Sequence, residues 1–222
     1  MSPRPANHQA RDALLDASRL EFARAGLERA RVEDIARRAG VSKGAFYLHF
    51  ESKEDAFREI LQRFLGALED EIRRRREADA VFLGELGRPC AAALERLLEH
   101  DCLADKELLE VLWRNRLILA ALDRTAGPPH LEVVADFRRR VRLALAEEVG
   151  TRQREGWLRR DVDPEVVGDV LVGAFESYGR RMHQLRARPD LEGWARSMNA
   201  LFYRGMFDLA ERPAARRVPD PP

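Results

Sequence analysis

The sequence predicts an all-α protein: a small N-terminal helical domain joined through a long helix to a larger C-terminal helical bundle. Three observations carry that reading. Apolar residues recur at helical spacing along almost the whole chain, and no stretch shows sustained period-two alternation rich in Val, Ile and Thr. The periodic segments are separated by Gly, Pro or Asp signals. With 222 residues, 45% hydrophobic and 35% charged, the chain has ample apolar material for a core.

A first helix is expected over about 7–25, with Leu15, Phe22 and Ala25 turned inward and Gly26 as its stop. A short second one follows over 32–39, where Val32, Ile35, Ala36 and Ala39 share a face, and Gly40 ends it. Ser42 offers an N-cap to a third helix through about 49, with Phe46 and Phe50 four residues apart. Ser52-Lys53-Glu54-Asp55 is a capping-box pattern that opens a fourth helix over 53–76, with Phe57, Ile60, Leu61, Phe64, Leu65, Leu68 and Ile72 on its inward side. Beyond Arg76 the pattern predicts helices over about 80–99, 104–123, 129–155, 164–186 and 190–210. The breaks include Gly127-Pro128-Pro129, Asp161-Val162-Asp163-Pro164 and Arg188-Pro189-Asp190. Three segments result: 1–52, 53–212, and a Pro-rich tail over 213–222 expected to be disordered.

Several functional classes fall away. The longest apolar run, Leu117 to Leu122, is six residues, far short of a bilayer span, and the N-terminus has no apolar signal region, so the expected location is the cytoplasm with no membrane partner. Cys90 and Cys102 form neither a disulfide framework nor a CxxC motif, and with His100 they lack any usual zinc spacing. No metal and no cofactor is expected; a packed Cys is the plain reading and a thiol-based sensing role the alternative. The 39 basic and 38 acidic residues give a net charge of +1, which argues against a strongly polyanion-binding chain but not against a local basic patch. Only Lys43, Lys53 and Lys106 are lysines, a bias that a GC-rich coding source explains most simply.

The segment from Gly26 to Phe57 holds the chemistry. Two short helices joined by Gly40-Val41-Ser42 have helix-turn-helix form, with Gly for the tight bend, Val41 plugging the angle and Ser42 as cap. Ile35, Ala36, Val41, Phe46 and Phe50 make a mini-core, which leaves Ser42, Lys43, Ala45, Tyr47, Leu48 and His49 outward or at the rim. Gly44 and Ala45 permit close approach to base edges, and Lys43 reaches a guanine or a phosphate. Tyr47, His49 and Lys53 can donate to phosphate oxygens. Over residues 37–53, Arg37, Arg38, Lys43 and Lys53 stand against Glu51 alone, a local charge of +3. The alternatives are bland: Tyr47 and His49 as rim residues shielding the mini-core, and Arg73 to Arg76 as a solvated face. Gly40-x-Ser42-x-Gly44 also matches a hydrolase nucleophile elbow, but that motif needs a strand entering the turn, and 33–39 have helical periodicity.

The string Val32-Glu-Asp-Ile-Ala-Arg-Arg-Ala-Gly-Val-Ser-Lys-Gly-Ala-Phe-Tyr-Leu-His-Phe50, followed by Ser52-Lys-Glu-Asp-Ala-Phe57, resembles the DNA-binding domain of TetR-family transcriptional regulators. Glu155-Gly-Trp-Leu-Arg-Arg-Asp-Val-Asp-Pro164 resembles the turn before that family's penultimate helix. Where the family often carries Thr-Thr, this chain has Ala30-Arg31, so Arg31 takes over the phosphate contact in this reading. The resemblance implies a non-enzymatic, ligand-responsive regulator, most simply a repressor, that binds double-stranded DNA and is released by a largely apolar small-molecule effector. It also implies an effector cavity in the large domain, for which Trp113, Phe137, Phe175 and Tyr178 are candidate walls and Arg116 and Glu176 candidate polar anchors.

One helix-turn-helix makes few base contacts, so a homodimer on a palindromic operator is expected. Its interface falls on the last two helices, through Gly168, Gly173, Ala174 and Gly179 on one, and Trp194, Met198, Leu201, Phe202 and Met206 on the other. An intramolecular core is the alternative for those two helices. A helical protein-interaction module, or a regulator that activates, are the competing functions; the first does not explain the outward Lys-Gly-Ala-x-Tyr surface.

Overall fold

The computed structural model describes residues 5–87, 89–124 and 130–206; the expected tail and the end of the last predicted helix lie outside the described residues. The described residues form helices with no strand. In order they are α1 (Pro5–Ala25), α2 (Val32–Ala39), α3 (Lys43–Tyr47), α4 (Lys53–Leu86), α5 (Ala91–Arg114), α6 (Arg116–Arg124), α7 (His130–Arg154), α8 (Pro164–Met182) and α9 (Leu191–Met206).

The first three helices fold on the aromatic residues that the periodicity placed inward. Phe22, Phe46, Phe50 and Phe57 are all essentially inaccessible, and Phe22 meets Phe57 edge-on with ring centroids 5.4 Å apart. Arg11 lies over the Phe50 ring and forms a two-pronged ion pair with Glu59, tying α1 to α4 around that core. The same core runs without interruption along α4 into Leu109, Ile118, Met182 and Ala195, so α4 belongs to both domains at once. A second cluster at the far end joins Leu86, Leu97, Val149, Trp157, Leu158 and Val167.

Two of the longer helices depart from the expected pattern. α4 passes the stop expected at 76 and continues to Leu86, and α5 runs through the break expected between 99 and 104. The reason lies in Asp79, Asp101 and Asp105. Acidic residues in a helical pattern read as exposed or end-marking, but here they are buried, facing Arg75 and Arg152. The break instead falls at Asn115, whose side-chain amide donates to the Val111 carbonyl at 2.8 Å. At the shorter scale, α3 ends at Tyr47 rather than near 49, and α8 at Met182 rather than near 186.

α7 packs along α8, α1 against α6, and α5 against α9. The α7–α8 crossing is close at Gly168, where a Cβ would stand 2.9 Å from the Arg142 carbonyl oxygen.

Candidate nucleic-acid interface and buried cavity

The turn between α2 and α3 is built as the residue types require. Gly40 takes the left-handed conformation at φ 72°, which a side chain disfavours. The following amide of Val41 donates to the Ala36 carbonyl at 3.0 Å, closing the end of α2. The Ser42 hydroxyl accepts from the Ala45 amide at 3.1 Å and so caps α3. Its chain enters from a helix, and the hydroxyl is spent on the cap, which removes the nucleophile-elbow reading. Ile35, Ala36, Phe46 and Phe50 are buried with Val41 packed against them, leaving Ser42, Lys43, Gly44, Tyr47 and Leu48 exposed on one surface, with Ala45 and His49 half-buried beside them. Arg31 stands exposed at the N-cap of α2 and its side chain makes no cap hydrogen bond.

The electrostatics are more balanced than the +3 count over 37–53 suggests. Lys43 pairs with Glu33, Arg37 with Asp34, and Arg38 reaches the buried carboxylate of Glu21 at 3.7 Å. Glu33 and Asp34 lie just upstream of that window and Glu21 farther back on α1, so a count over 37–53 contains none of them. The hydrogen bond from Arg24, with Arg38 adding, holds the Glu21 carboxyl below the usual carboxylate range. Lys53 is also committed: its ammonium donates to the carbonyls of Glu28 at 2.8 Å and Ala30 at 3.1 Å, bracing the α1–α2 loop against the start of α4. The Ser52 hydroxyl accepts from the Asp55 amide at 3.1 Å, and Asp55 accepts in return from the Glu51 amide at 3.3 Å.

Behind α4 lies a cavity of about 550 Å³ with mostly apolar walls, including Phe64, Leu68, Leu112, Val141, Leu171 and Phe202. Of the residues expected there, Phe137, Phe175 and Glu176 line it. Trp113, Arg116 and Tyr178 are not among its lining residues. The Arg116 guanidinium sits 4.3 Å from the Trp113 ring centroid, and Tyr178 stacks on Trp194 at 5.1 Å, so these side chains are used in packing one another. Periodicity marks an aromatic as inward but does not say whether it faces a void or a neighbour.

What the sequence did not reveal is the polar end of this cavity. Arg75, Asp101, Asp105, Glu148, Arg152 and Asn199 line it. Arg152 donates to Asp101 at 2.9 Å and Asp79 at 3.0 Å, and pairs with Glu148 at 2.9 Å. Arg75, read from sequence as part of a solvated run, instead points inward to Asp105 and Asp101. Burial works against both guanidinium charges, but the carboxylates around them raise both above the ordinary arginine value. Asp79, His100 and Asp101 offer ligand atoms within 4.8 Å of one another, yet both carboxylates already accept from Arg152, so the group is committed to arginine. Of the thiols, Cys90 is exposed at the N-cap of α5, while burial pushes the half-buried Cys102 thiol up, opposing the thiolate that sensing chemistry needs.

Residues 14–60 match the family model of bacterial regulatory proteins, tetR family. The chain is 32% identical over 179 residues to a protein of Escherichia coli strain K12 named probable acrEF/envCD operon repressor, covering 74% of this chain and 72% of that one. The chain belongs to the TetR family. It is also 28% identical over 183 residues to the HTH-type transcriptional repressor DhaR of Mycobacterium sp. strain GP1, covering 82% of this chain and 86% of the relative. Among solved structures, the ketosteroid transcriptional regulator KstR2 of Mycobacterium tuberculosis superposes with a TM-score of 0.63 at 25% identity, covering 89% of this chain and 94% of that one.

As a TetR-family member the protein is a DNA-binding transcriptional regulator and not an enzyme. Among the described residues no helix is long and apolar enough to cross a membrane. Of the residues expected at a TetR-type dimer interface, Gly168 and Met198 are buried within their own chain, Gly168 by the α7–α8 crossing. Trp194 stacks on Tyr178 with the Arg181 guanidinium 4.8 Å from its ring centroid, and Phe202 lines the cavity. Gly173 and Leu201 remain exposed. Gly179 is buried against Leu119, Ala174 is half-buried, and the Met206 side chain lies outside the described residues. The sequence reading passed over two exposed positions on α8, Val166 and Val170, because valine on a helix reads as core. It also left Leu48 out of the interface candidates, although at 83% accessible it is the most exposed of the large apolar side chains described.

Proposed function

We propose that the protein is a ligand-responsive repressor that binds a palindromic operator as a homodimer and is released by a small-molecule effector. The observation that carries the reading is the double duty of α4. Its first turn braces the DNA-reading unit through Lys53, while Phe64, Leu65, Leu68 and Ile72 further along the same helix line the cavity. A second link runs through α6: Leu119 and Leu122 line the cavity, and Arg124 at the helix end donates to the Arg24 carbonyl at the end of α1.

An effector that fits the cavity in only one setting of α4 and α6 biases the spacing of the two reading heads. A differential affinity of about 1–3 kcal/mol changes operator affinity by roughly 5–150-fold. On the DNA side, Ser42, Lys43, Gly44 and Ala45 enter the major groove, and Tyr47, His49, Lys53 and Arg31 meet the backbone. The dimer face is the exposed stripe of Val166, Val170 and Gly173 on α8, spaced for one helix side, continued by Leu201 on α9. The repressor names of the E. coli and mycobacterial relatives support repression rather than activation.

The test is a gel-shift titration with the DNA upstream of the protein's own gene, paired with sedimentation of the free protein. Salt-sensitive, sequence-selective binding by a dimer is the expected result. Binding that ignores sequence, or a monomer both free and on DNA, overturns the proposal.

A further inference from the structure

Between Val32 and Phe57 every large aliphatic or phenylalanine side chain is turned to the core except one. Val32, Ile35, Phe46, Phe50 and Phe57 are buried and Val41 packs against them, whereas Leu48 is 83% accessible. The turn in which Leu48 sits sets its direction. The amides of His49 and Phe50 both donate to the Phe46 carbonyl at 3.0 Å, and Leu48 has right-handed helical dihedrals (φ −75°, ψ −19°), so the turn of α3 continues through Phe50. At 3.6 residues per turn, positions two residues apart lie on nearly opposite sides. Phe46 and Phe50 stand two residues to either side of Leu48 and both face the core, so Leu48 faces away from it.

Leu48 is continuous with the exposed surface of Ser42, Lys43, Gly44 and Tyr47. Gly44 lies one helical turn before it on the same side and leaves bare backbone beside the leucine; a Cβ there would meet nothing nearer than the Ser42 hydroxyl oxygen at 3.7 Å. Tyr47 and His49 flank Leu48 at about 100° to either side. Both rings rest on the core, Tyr47 edge-on to Phe46 at 5.5 Å and His49 against Phe50 at 6.4 Å. Leu48 has no donor for a phosphate oxygen, so it cannot anchor the backbone as Lys43 or Tyr47 can. Among the base edges of the major groove, the apolar group on offer is the thymine C5-methyl.

We propose that Leu48 is a specificity residue that packs on a thymine methyl in the major groove of each half-site. This rests on the reading of α3 as the groove-reading helix. The contact takes the apolar surface of both groups out of water, which drives it. A cytosine at the same position offers no methyl, so the leucine selects between pyrimidines without a hydrogen bond.

The experiment starts from double-stranded DNA with a random core, from which the full-length protein selects its sites. In a selected duplex each thymine is replaced in turn by deoxyuridine, which lacks only the C5-methyl, and affinity is followed by fluorescence anisotropy. The expected result is one thymine per half-site whose replacement weakens binding about fourfold, and roughly 15-fold when both half-sites are changed. Leu48→Ala loses at least about that factor on the thymine duplex and no longer distinguishes thymine from deoxyuridine at that position. Because the side chain is exposed, this variant melts with the wild type. No methyl effect, a methyl effect that survives in Leu48→Ala, or equal weakening by Leu48→Ala on every sequence each overturns the proposal. So does a change in the sedimentation of the free Leu48→Ala protein, which assigns the side chain to a protein contact instead. Lys43→Ala, carried through the same selection, separates the two readings. If it relaxes the selected sequence while Leu48→Ala does not, α3 still reads the groove and the Leu48 proposal alone fails. If neither variant changes the selected sequence, the reading of α3 itself fails and takes this proposal with it.

Discussion

Replacing Gly168 by Ala tests the α7–α8 crossing directly. In a helix interior, Gly→Ala alone stabilises by about 0.5–1 kcal/mol. At Gly168 the new methyl would stand 2.9 Å from the Arg142 carbonyl oxygen, 3.4 Å from Arg142 Cγ and 3.6 Å from the Ala146 amide nitrogen. Two of those three atoms are backbone, so relief requires moving α7 rather than turning a side chain. Overpacking of this kind costs about 1–3 kcal/mol, which leaves the variant less stable by up to about 2 kcal/mol. Gly66→Ala, in α4 with nothing within 4 Å of its Cβ position, gains the helix term without the clash. The two variants therefore differ by the clash alone, about 1–3 kcal/mol. For a chain of this length that is roughly 2–12 °C in melting temperature. The assay is thermal unfolding at one fixed protein concentration, since assembly shifts apparent stability. If Gly168→Ala melts as high as Gly66→Ala, the two helices do not cross at this contact and the packing argument is wrong.

Other substitutions probe the remaining sites. Lys43→Ala relaxes base preference in a competition gel shift, whereas Lys53→Met weakens binding to all sequences alike and also lowers the melting temperature, because two loop carbonyls lose their donor. Glu33→Gln frees Lys43 from its ion pair, so DNA affinity rises at low salt and the gain fades as salt increases. Arg152→Met strands three carboxylates against one another and costs about 3–5 kcal/mol in urea unfolding; a near-neutral result would mean that the network is not buried as described. Glu21 has a carboxyl held below its ordinary value, so its contribution is present above the unfolded carboxylate range and is lost as pH falls through the folded value. Glu21→Gln accordingly flattens the acid limb of the stability curve while leaving neutral-pH behaviour to the remaining packing.

The sequence alone determined the reading head. Its signals are local: a glycine that must adopt positive φ, a serine three residues before the amide it caps, and phenylalanines at helical spacing each act within a few residues. Local rules therefore suffice to place Lys43, Tyr47 and their neighbours on one surface. The helix class and the second capping motif at Ser52 were legible for the same reason.

Only the tertiary structure decided which polar residues are buried. Asp79, Asp101 and Asp105 carry the sequence signature of exposed or helix-ending residues, and Arg75 sits inside a run of four arginines that reads as a solvated face. Apart from the Arg75–Asp79 approach within one helix, their partners are 21 to 94 residues away in the chain, so no short window of sequence contains the network that makes their burial tolerable. The same distance separates Gly168 from the α7 backbone that requires it, and the cavity from any single helix that walls it. Periodicity fixes which side of a helix turns inward. What waits on that side, a neighbour, a void or a counter-charge, is set by contacts between elements far apart in the chain.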